Sequence, residues 1–347
     1  MTESVPDAVR AAYGWERAEI TPLVGGLINK TFVVRADEIP VAVVQRLHPV
    51  FGATVNLDLD AVTRHLAARG LETPRLIFTR SGAAWIEDEG AVWRALTWIE
   101  GTTVAAVPDP SWATVAGELV GKFHRAVADL DHTYAFARAG VHDTKAHLKR
   151  LRAHLEATDT GFDRDGDARA LASEILDVAD TLPVLPDLPR RHCHGDLKIS
   201  NVLFAQSGSL VRARCLVDLD TLGLGTLAFE LGDAMRSWCN PRGEDAGPVG
   251  FDLAIFAAAI GGFRSVADTL VTRDERLSIV TGLETVCVEL AARFATDVFR
   301  DEYFGWDASR FPTRRAHNLV RARGQLALAA AVRAVRSDAR EIVLAGT

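Results

Sequence analysis

The segment HGDLKISN, His194 to Asn201, followed by LVDLD, Leu216 to Asp220, restricts the possible folds more than any other feature of this chain. His194, Asp196, Lys198 and Asn201 fall within eight positions, and Asp218 stands seventeen residues after Asn201. An apolar run opens at Asn201–Phe204, and another closes at Leu216–Val217, just before Asp218. Two short strands joined as a hairpin of that length return Asp218 to the side of Asn201. Reading Asp218 and Asp220 as ordinary turn residues does not account for the joint match.

Two chemistries compete for this segment. His192 and His194 are two apart, so on a strand they share a face and could reach one ion. Zinc sites need three or four ligands, with a second Cys/His cluster at a recognisable spacing. None occurs here. Phosphoryl transfer uses other members of the segment. In the pattern H-x-D-x-x-x-x-N the aspartate lies beside an acceptor hydroxyl, and the asparagine five residues on holds magnesium. His194, Asp196 and Asn201 fit that spacing, and Asp218 supplies a second metal carboxylate. Lys198 is placed to reach the transferred phosphoryl group.

The surrounding sequence is consistent with this. ITPLVGGLINKTFVVRA reads as strand, glycine turn, strand, and its Gly25–Gly26 turn can bring backbone N–H groups to phosphates. IPVAVVQRL is a β-branched strand bounded by prolines. On it Val44 and Arg46 share a face, Val44 suited to an adenine ring and Arg46 to phosphates or to solvent. LDLDAVTRHLAARG is a helix with Leu59, Val62 and Leu66 on one side and Gly70 as its stop. RLIFTRSGAAWIEDEGAVWRALTWIEG reads as three strands with turns at RSG and EDEG. TWIEG, Thr97 to Gly101, is a hinge where the backbone at Trp98 and Ile99 would meet the adenine edge.

Beyond the hinge the pattern is helical. DPSWATVAGELVGKFHRAVADL has Asp109 or Ser111 as its cap, and His124 there reads as a packed polar residue. DARALASEILDVADTL is a second helix. From Phe251 to Ala345 helix follows helix, broken clearly only by FGWDASRFPTRRAHN. These patterns predict an α+β, bilobal chain. Residues 1–100 form a small antiparallel-sheet lobe with one helix, the hinge lies at 97–101, and residues 102–347 form a larger, mostly helical lobe.

Composition excludes several classes. Among 347 residues the net charge is −7, which suits neither a nucleic-acid partner nor a basic membrane-binding face. The four cysteines are dispersed without a C-x-x-C, so reduced thiols are expected. FDLAIFAAAIGGF is too short to cross a bilayer and fits a buried helix. The first twenty residues lack the basic and apolar regions of a signal peptide. A cytoplasmic enzyme, monomer or homodimer, without membrane or nucleic-acid partners is the expectation.

GGLINKTFVV, VVQRL, HGDLKISNVLF and LVDLDTLGLGTLAFELGDAMR occur in the order found in the aminoglycoside phosphotransferase superfamily, the small-molecule branch of the protein-kinase-like fold, and the chain resembles that superfamily over about residues 20–328. Within it the chain is most similar to N-acetylhexosamine 1-kinases. The resemblance implies ATP, or another nucleoside triphosphate, and Mg²⁺. It implies Asp196 as base, Lys198 as a helper at the phosphoryl group, Asn201 and Asp218 as metal ligands, and Gly25, Gly26, Asn29, Val44, Arg46, Trp98 and Ile99 around the nucleotide. Asp233 matches a position that supports the metal loop or the C-terminal lobe. Asp233, Arg236, Trp238, Tyr303 and Trp306 are the candidates on the acceptor side, the aromatics being equally suited to stacking on a sugar ring or to core packing. The implied acceptor is a hydroxyl of a sugar or amino sugar, the anomeric one in the hexosamine case.

The chain departs from the family pattern in two places. No glutamate lies between Arg46 and Gly70 to pair with Arg46, which leaves Asp58 or Asp60 as substitutes. Leu27 stands where hexosamine kinases tend to have a polar residue. A protein kinase is disfavoured because no D-F-G and no A-P-E segment occurs. An antibiotic kinase would use acidic residues such as Asp297, Asp301 and Glu302 for a cationic acceptor. A catalytically silent nucleotide-binding relative is disfavoured by the intact Asp196, Asn201 and Asp218.

Overall fold

The computed structural model describes residues 4–23, 29–136, 140–157, 166–243, 245 and 250–345. The glycine turn with Gly25, Gly26 and Leu27 lies outside the described residues. The fold is α+β. An antiparallel N-terminal sheet with helices precedes a largely helical C-terminal region.

The N-terminal part runs α1 (Asp7–Tyr13), β1 (Glu19–Pro22), β2 (Lys30–Ala36), β3 (Ile39–Arg46), α2 (Val55–Ala68), β4 (Leu76–Ile77), β5 (Ile86–Asp88) and β6 (Ala91–Thr97). The sheet order is β1-β2-β3-β6-β4, with β5 also pairing β6, and every pairing is antiparallel. Of the three strands expected after α2, only β6 is long, while β4 and β5 are short partners along it. α1 was not expected. It is one short amphipathic turn pair that buries only Val9 and Tyr13, too little periodicity to read. In α2 the expected face, Leu59, Val62 and Leu66, is buried, and Gly70 takes φ 77° just past the end. That face joins the large core of the C-terminal part rather than the N-terminal sheet cluster.

The two faces of the sheet do different work. Phe32, Val34, Val44, Trp93 and Ala95 are buried together against Val9 and Tyr13 of α1. The opposite face carries Gln45 and Arg94, which point toward the C-terminal part.

The C-terminal part continues with α3 (Pro110–Ala126), α4 (Thr144–Glu156), α5 (Gly166–Ala179), β7 (Arg191–Cys193), the hairpin β8 (Val202–Ser207) and β9 (Leu210–Leu216), β10 (Gly223–Gly225), α6 (Leu227–Trp238), α7 (Leu253–Ala267), α8 (Arg273–Arg300), α9 (Arg314–Ala334) and α10 (Arg336–Leu344). Asp109 is the cap of α3, accepting from the Ser111 amide. α4 and β10 were not legible. α4 buries only Leu151, and β10 is Gly-Leu-Gly, with no β-branched residue. The apolar α7 packs along α3 at very short range. A Cβ on Gly262 would lie 2.1 Å from the Thr114 carbonyl oxygen, and one on Gly117 would lie 2.1 Å from that of Ala259. Only glycine permits this approach. The four cysteines are free and buried.

Candidate active site

The hairpin does what its spacing requires. Val202 pairs with Leu216, and the Val217 amide donates to the Asn201 carbonyl at 2.9 Å, so Asp218 emerges next to Asn201. Asp218 takes a left-handed conformation, φ 63°, which turns the chain into the short helical turn 219–221. The Lys198 ammonium lies 2.6 Å from Asp196 Oδ2 and 3.8 Å from Asp218 Oδ2. The Asn201 amide nitrogen donates to the Asp196 carbonyl at 2.8 Å and to its carboxylate at 3.1 Å. With its N–H groups used there, Asn201 keeps its side-chain oxygen for another partner.

Charge in this cluster is shifted by burial and by neighbours. Burial and nearby Asp220 push the Asp218 carboxyl above its ordinary value, with Lys198 opposing. Burial works against the Lys198 charge, but Asp196 and Asp218 together outweigh it and hold its pKa above the usual lysine value.

The loop is fixed from beneath. Gly195 has φ 81°, and a Cβ there would lie 2.4 Å from the Thr221 carbonyl oxygen. Both oxygens of buried Glu230 on α6 accept loop amides, from His194 at 2.7 Å and Gly195 at 3.0 Å. Burial alone would raise the Glu230 pKa, but His124 and those donors hold it below the usual carboxylate range. His194 Nε2 is 3.0 Å from the Val217 carbonyl, and the Asp196 amide donates to its Nδ1 at 3.3 Å. That pair of contacts requires the neutral Nε2–H tautomer. His194 therefore ties the two motif segments together. His192, Cys193 and His194 do not converge: His192 meets Tyr134 and the Leu130 carbonyl, and Cys193 is buried.

Asp220 joins the two parts of the molecule. Its carboxylate accepts from both terminal nitrogens of Arg94 on β6, one at 2.9 Å, and both side chains are almost fully buried. Arg94 also donates to Gln45 Oε1 at 2.9 and 2.7 Å and to Asn56 Oδ1 at 3.4 Å. Asn29 Nδ2 donates to Asp220 Oδ2 at 2.6 Å, while Asn29 Oδ1 accepts the His48 amide at 2.9 Å. Two N-terminal side chains, Asn29 and Arg94, thus grip one carboxylate two residues past Asp218, and Gln45 and Asn56 hold Arg94 in place.

Several expected roles change. Asn29 is buried and both ends of its amide are used in this network, so its side chain is structural rather than a nucleotide contact. Val44 is fully buried against Phe32 and Trp93, on the face away from Asp220, and Arg46 shares that face. The cleft-side residues of β3 and β6 are Gln45 and Arg94, because one position along a strand reverses the face. Asp58 and Asp60 do not serve Arg46. Asp58 accepts the Ala135 and Phe136 amides at 2.8 Å each and meets His132, and Asp60 pairs with Arg64. Trp238 is a core residue whose indole N–H donates to the Leu197 carbonyl at 2.7 Å, bracing the loop from α6.

Asp233 and Arg236 form an ion pair at 2.8 Å on α6. Tyr303 and Trp306 are exposed on the segment between α8 and α9. Trp98 donates from its indole to Glu100 at 3.1 Å, and its amide donates to the Val41 carbonyl at 3.4 Å. The acidic candidates for a cationic acceptor are committed elsewhere. Asp297 accepts the Glu302, Tyr303 and Phe304 amides, Asp301 meets Arg314, and Glu302 meets Arg300.

Residues 19–268 match the phosphotransferase enzyme family, APH. The chain belongs to this family. A homoserine kinase of Beijerinckia indica is 30% identical over 178 residues, covering 50% of each chain, and one of Afipia carboxidovorans is 29% identical over 175 residues. The chain spans about half the length of the curated relatives it matches. These are homoserine kinases, so the matches support the superfamily and not the narrower likeness to N-acetylhexosamine kinases. An aminoglycoside phosphotransferase from Alicyclobacillus acidocaldarius has the same fold, with TM-score 0.62, 17% identity and 98% of both chains covered.

The residues missed in the sequence left faint signals. Arg94 is a lone charge in the apolar run AVWRALT, and Glu230 sits on the apolar side of α6. A charge in such a position needs a partner, but the sequence does not say which one.

Proposed function

We propose that the protein is an ATP- and Mg²⁺-dependent kinase that transfers the γ-phosphate to the alcohol group of a small molecule. The convergence of Asp196, Lys198, Asn201 and Asp218 carries this reading. The Asp218 carboxylate and the Asn201 amide oxygen, with no thiolate or imidazole, are donors suited to magnesium. Lys198 lies against both carboxylates, so the space between them tolerates positive charge. Asn201 and Asp218 would hold the ion, which supplies charge neutralisation on the phosphates.

The protein groups do the rest. Asp196 orients the acceptor hydroxyl and takes its proton, while Lys198, 2.6 Å from the Asp196 carboxylate, faces the transferred group. Positioning and charge account for most of phosphoryl-transfer catalysis, so the fixed loop on Glu230 and Trp238 matters as much as the acid. The names of the curated relatives, homoserine kinases, favour a hydroxy amino acid as acceptor. A sugar or amino sugar is the second reading, supported by the exposed Tyr303 and Trp306.

Asp196→Asn should fold as the wild type does and lose about 10²- to 10⁴-fold in turnover, the range for a general base. A coupled ADP-release assay over amino alcohols, hydroxy acids and sugars tests this. Wild-type turnover in the variant would remove Asp196 from the mechanism.

A further inference from the structure

Arg293, on α8, is half-buried, and among the described residues it has no hydrogen bond and no ion pair. Its guanidinium lies 5.7 Å from the centroid of the Phe304 ring. That ring is itself fixed, by Phe294 at 4.4 Å and by the Phe304 amide bonded to Asp297 at 2.9 Å. A guanidinium over an aromatic face keeps N–H donors for a planar oxyanion.

The neighbouring carboxylates do not answer this charge. Glu289 is one turn before Arg293, but its oxygens are taken by His142 at 3.1 Å and Thr144 at 2.6 Å. Asp143 caps α4 through the Ala146 amide, and Asp297 holds three amides and the Asn318 side chain. The other charged groups on this wall, His147 and Arg150, are basic or neutral. Burial lowers the His147 pKa, and Arg293 and Arg150 lower it further.

This wall adjoins the proposed catalytic cluster. His142, bonded to Glu289 of α8, stacks on Phe229 of α6 with ring centroids 4.8 Å apart, and the next residue, Glu230, accepts the His194 and Gly195 amides of the catalytic loop. Arg293 on α8 thus stands behind the wall that carries the catalytic loop, where an acceptor with its hydroxyl at Asp196 would present its far end.

We propose that Arg293 anchors a carboxylate of the acceptor, so that the substrate is a hydroxy acid or hydroxy amino acid rather than a cationic amino sugar. This inference rests on the small-molecule kinase reading. A bidentate guanidinium–carboxylate contact in a half-buried site discriminates by charge and by shape.

The test uses the full chain. L-Homoserine, D-glycerate and D-glucuronate are each compared with the matched neutral amide, and D-glucosamine is added as a cation. Binding is read by calorimetry with and without ATP·Mg²⁺, and turnover by ADP release. The expectation is binding of at least one carboxylate that its amide does not match. Arg293→Met should weaken that binding by roughly 10- to 100-fold, as loss of a charged hydrogen bond does, with the ATP KM unchanged and Arg293→Lys intermediate. Equal binding of acids and amides, preference for glucosamine, or an Arg293→Met variant that keeps the acid preference would overturn the proposal. Binding of no carboxylate at all would overturn it too. Failure of the kinase reading shows separately, as absence of ADP release with every acceptor while calorimetry still reports carboxylate binding.

Discussion

Replacing Arg94 by methionine tests how the two parts of the molecule are joined. The substitution keeps most of the side-chain volume and removes the charge. Asp220 then remains almost fully buried, with only Asn29 donating to it at 2.6 Å, and Gln45 loses both of its Arg94 donors. Breaking a buried ion pair from one side typically costs about 3–5 kcal/mol. The remaining Asn29 contact places the expectation at the lower end, about 3 kcal/mol in urea unfolding at neutral pH. For a chain of 347 residues, with an unfolding entropy of about 2.1 cal/mol/K per residue, that corresponds to a fall in Tm of roughly 4 °C. The double variant Arg94→Met with Asp220→Leu removes both charges, and apolar replacement of a buried pair is often close to neutral. It should therefore be less destabilised than the sum of its single variants by at least about 2 kcal/mol. Effects of Arg94→Met within about 0.5 kcal/mol of wild type, the range of an ordinary surface change, would refute the reasoning. Strict additivity in the double variant would refute it as well. Asp220→Leu should also lower turnover, because Asp218 hangs on the turn that Asp220 anchors.

Gly262→Ala should destabilise by about 1–3 kcal/mol or more, since the added carbon meets the Thr114 carbonyl oxygen at 2.1 Å and both partners are helix backbone. Thermal unfolding reads this directly, and an unchanged Tm would mean that α3 and α7 are not packed as described. Glu275, paired with Arg191 at 2.6 Å, is pulled two ways: burial raises its pKa, but Arg191 and the Thr272 amide lower it below its ordinary value near 4.5. A depressed carboxylate contributes stability that is present above about pH 4.5 and is lost as pH falls through the folded-state value. Glu275→Gln should therefore narrow the stability difference between neutral pH and the acid limb, and an acid limb parallel to wild type would argue against the pair.

The strongest inferences came from segments whose chemistry is local. HGDLKISN and LVDLD place Asp196, Lys198, Asn201 and Asp218 on one loop and one short hairpin, and a hairpin of fixed length can bring its ends together in only one way. The helical stripe Leu59, Val62 and Leu66 and the glycine stop at Gly70 were legible for the same reason. Periodicity over a few residues is set by backbone geometry alone.

The faces of β3 were not legible in the same way. An apolar run such as VAVV shows no alternation, so Val44 and Gln45 could each have faced the cleft. Packing of α1 against Val44, and the reach of Arg94 to Asp220, decided it. Likewise Trp238 suited a sugar ring or the core equally and Asp58 could have paired with Arg46, until the fold gave each a backbone partner, at Leu197 and at Ala135 and Phe136. The sequence by itself determined the oxygen-donor cluster, the two-part architecture and the family. Tertiary structure alone decided which charges are answered and which, like Arg293 among the described residues, are not. A partner 191 residues away, as between Asn29 and Asp220, leaves no local pattern in the chain, because long-range contacts are chosen by the cooperative packing of the whole core.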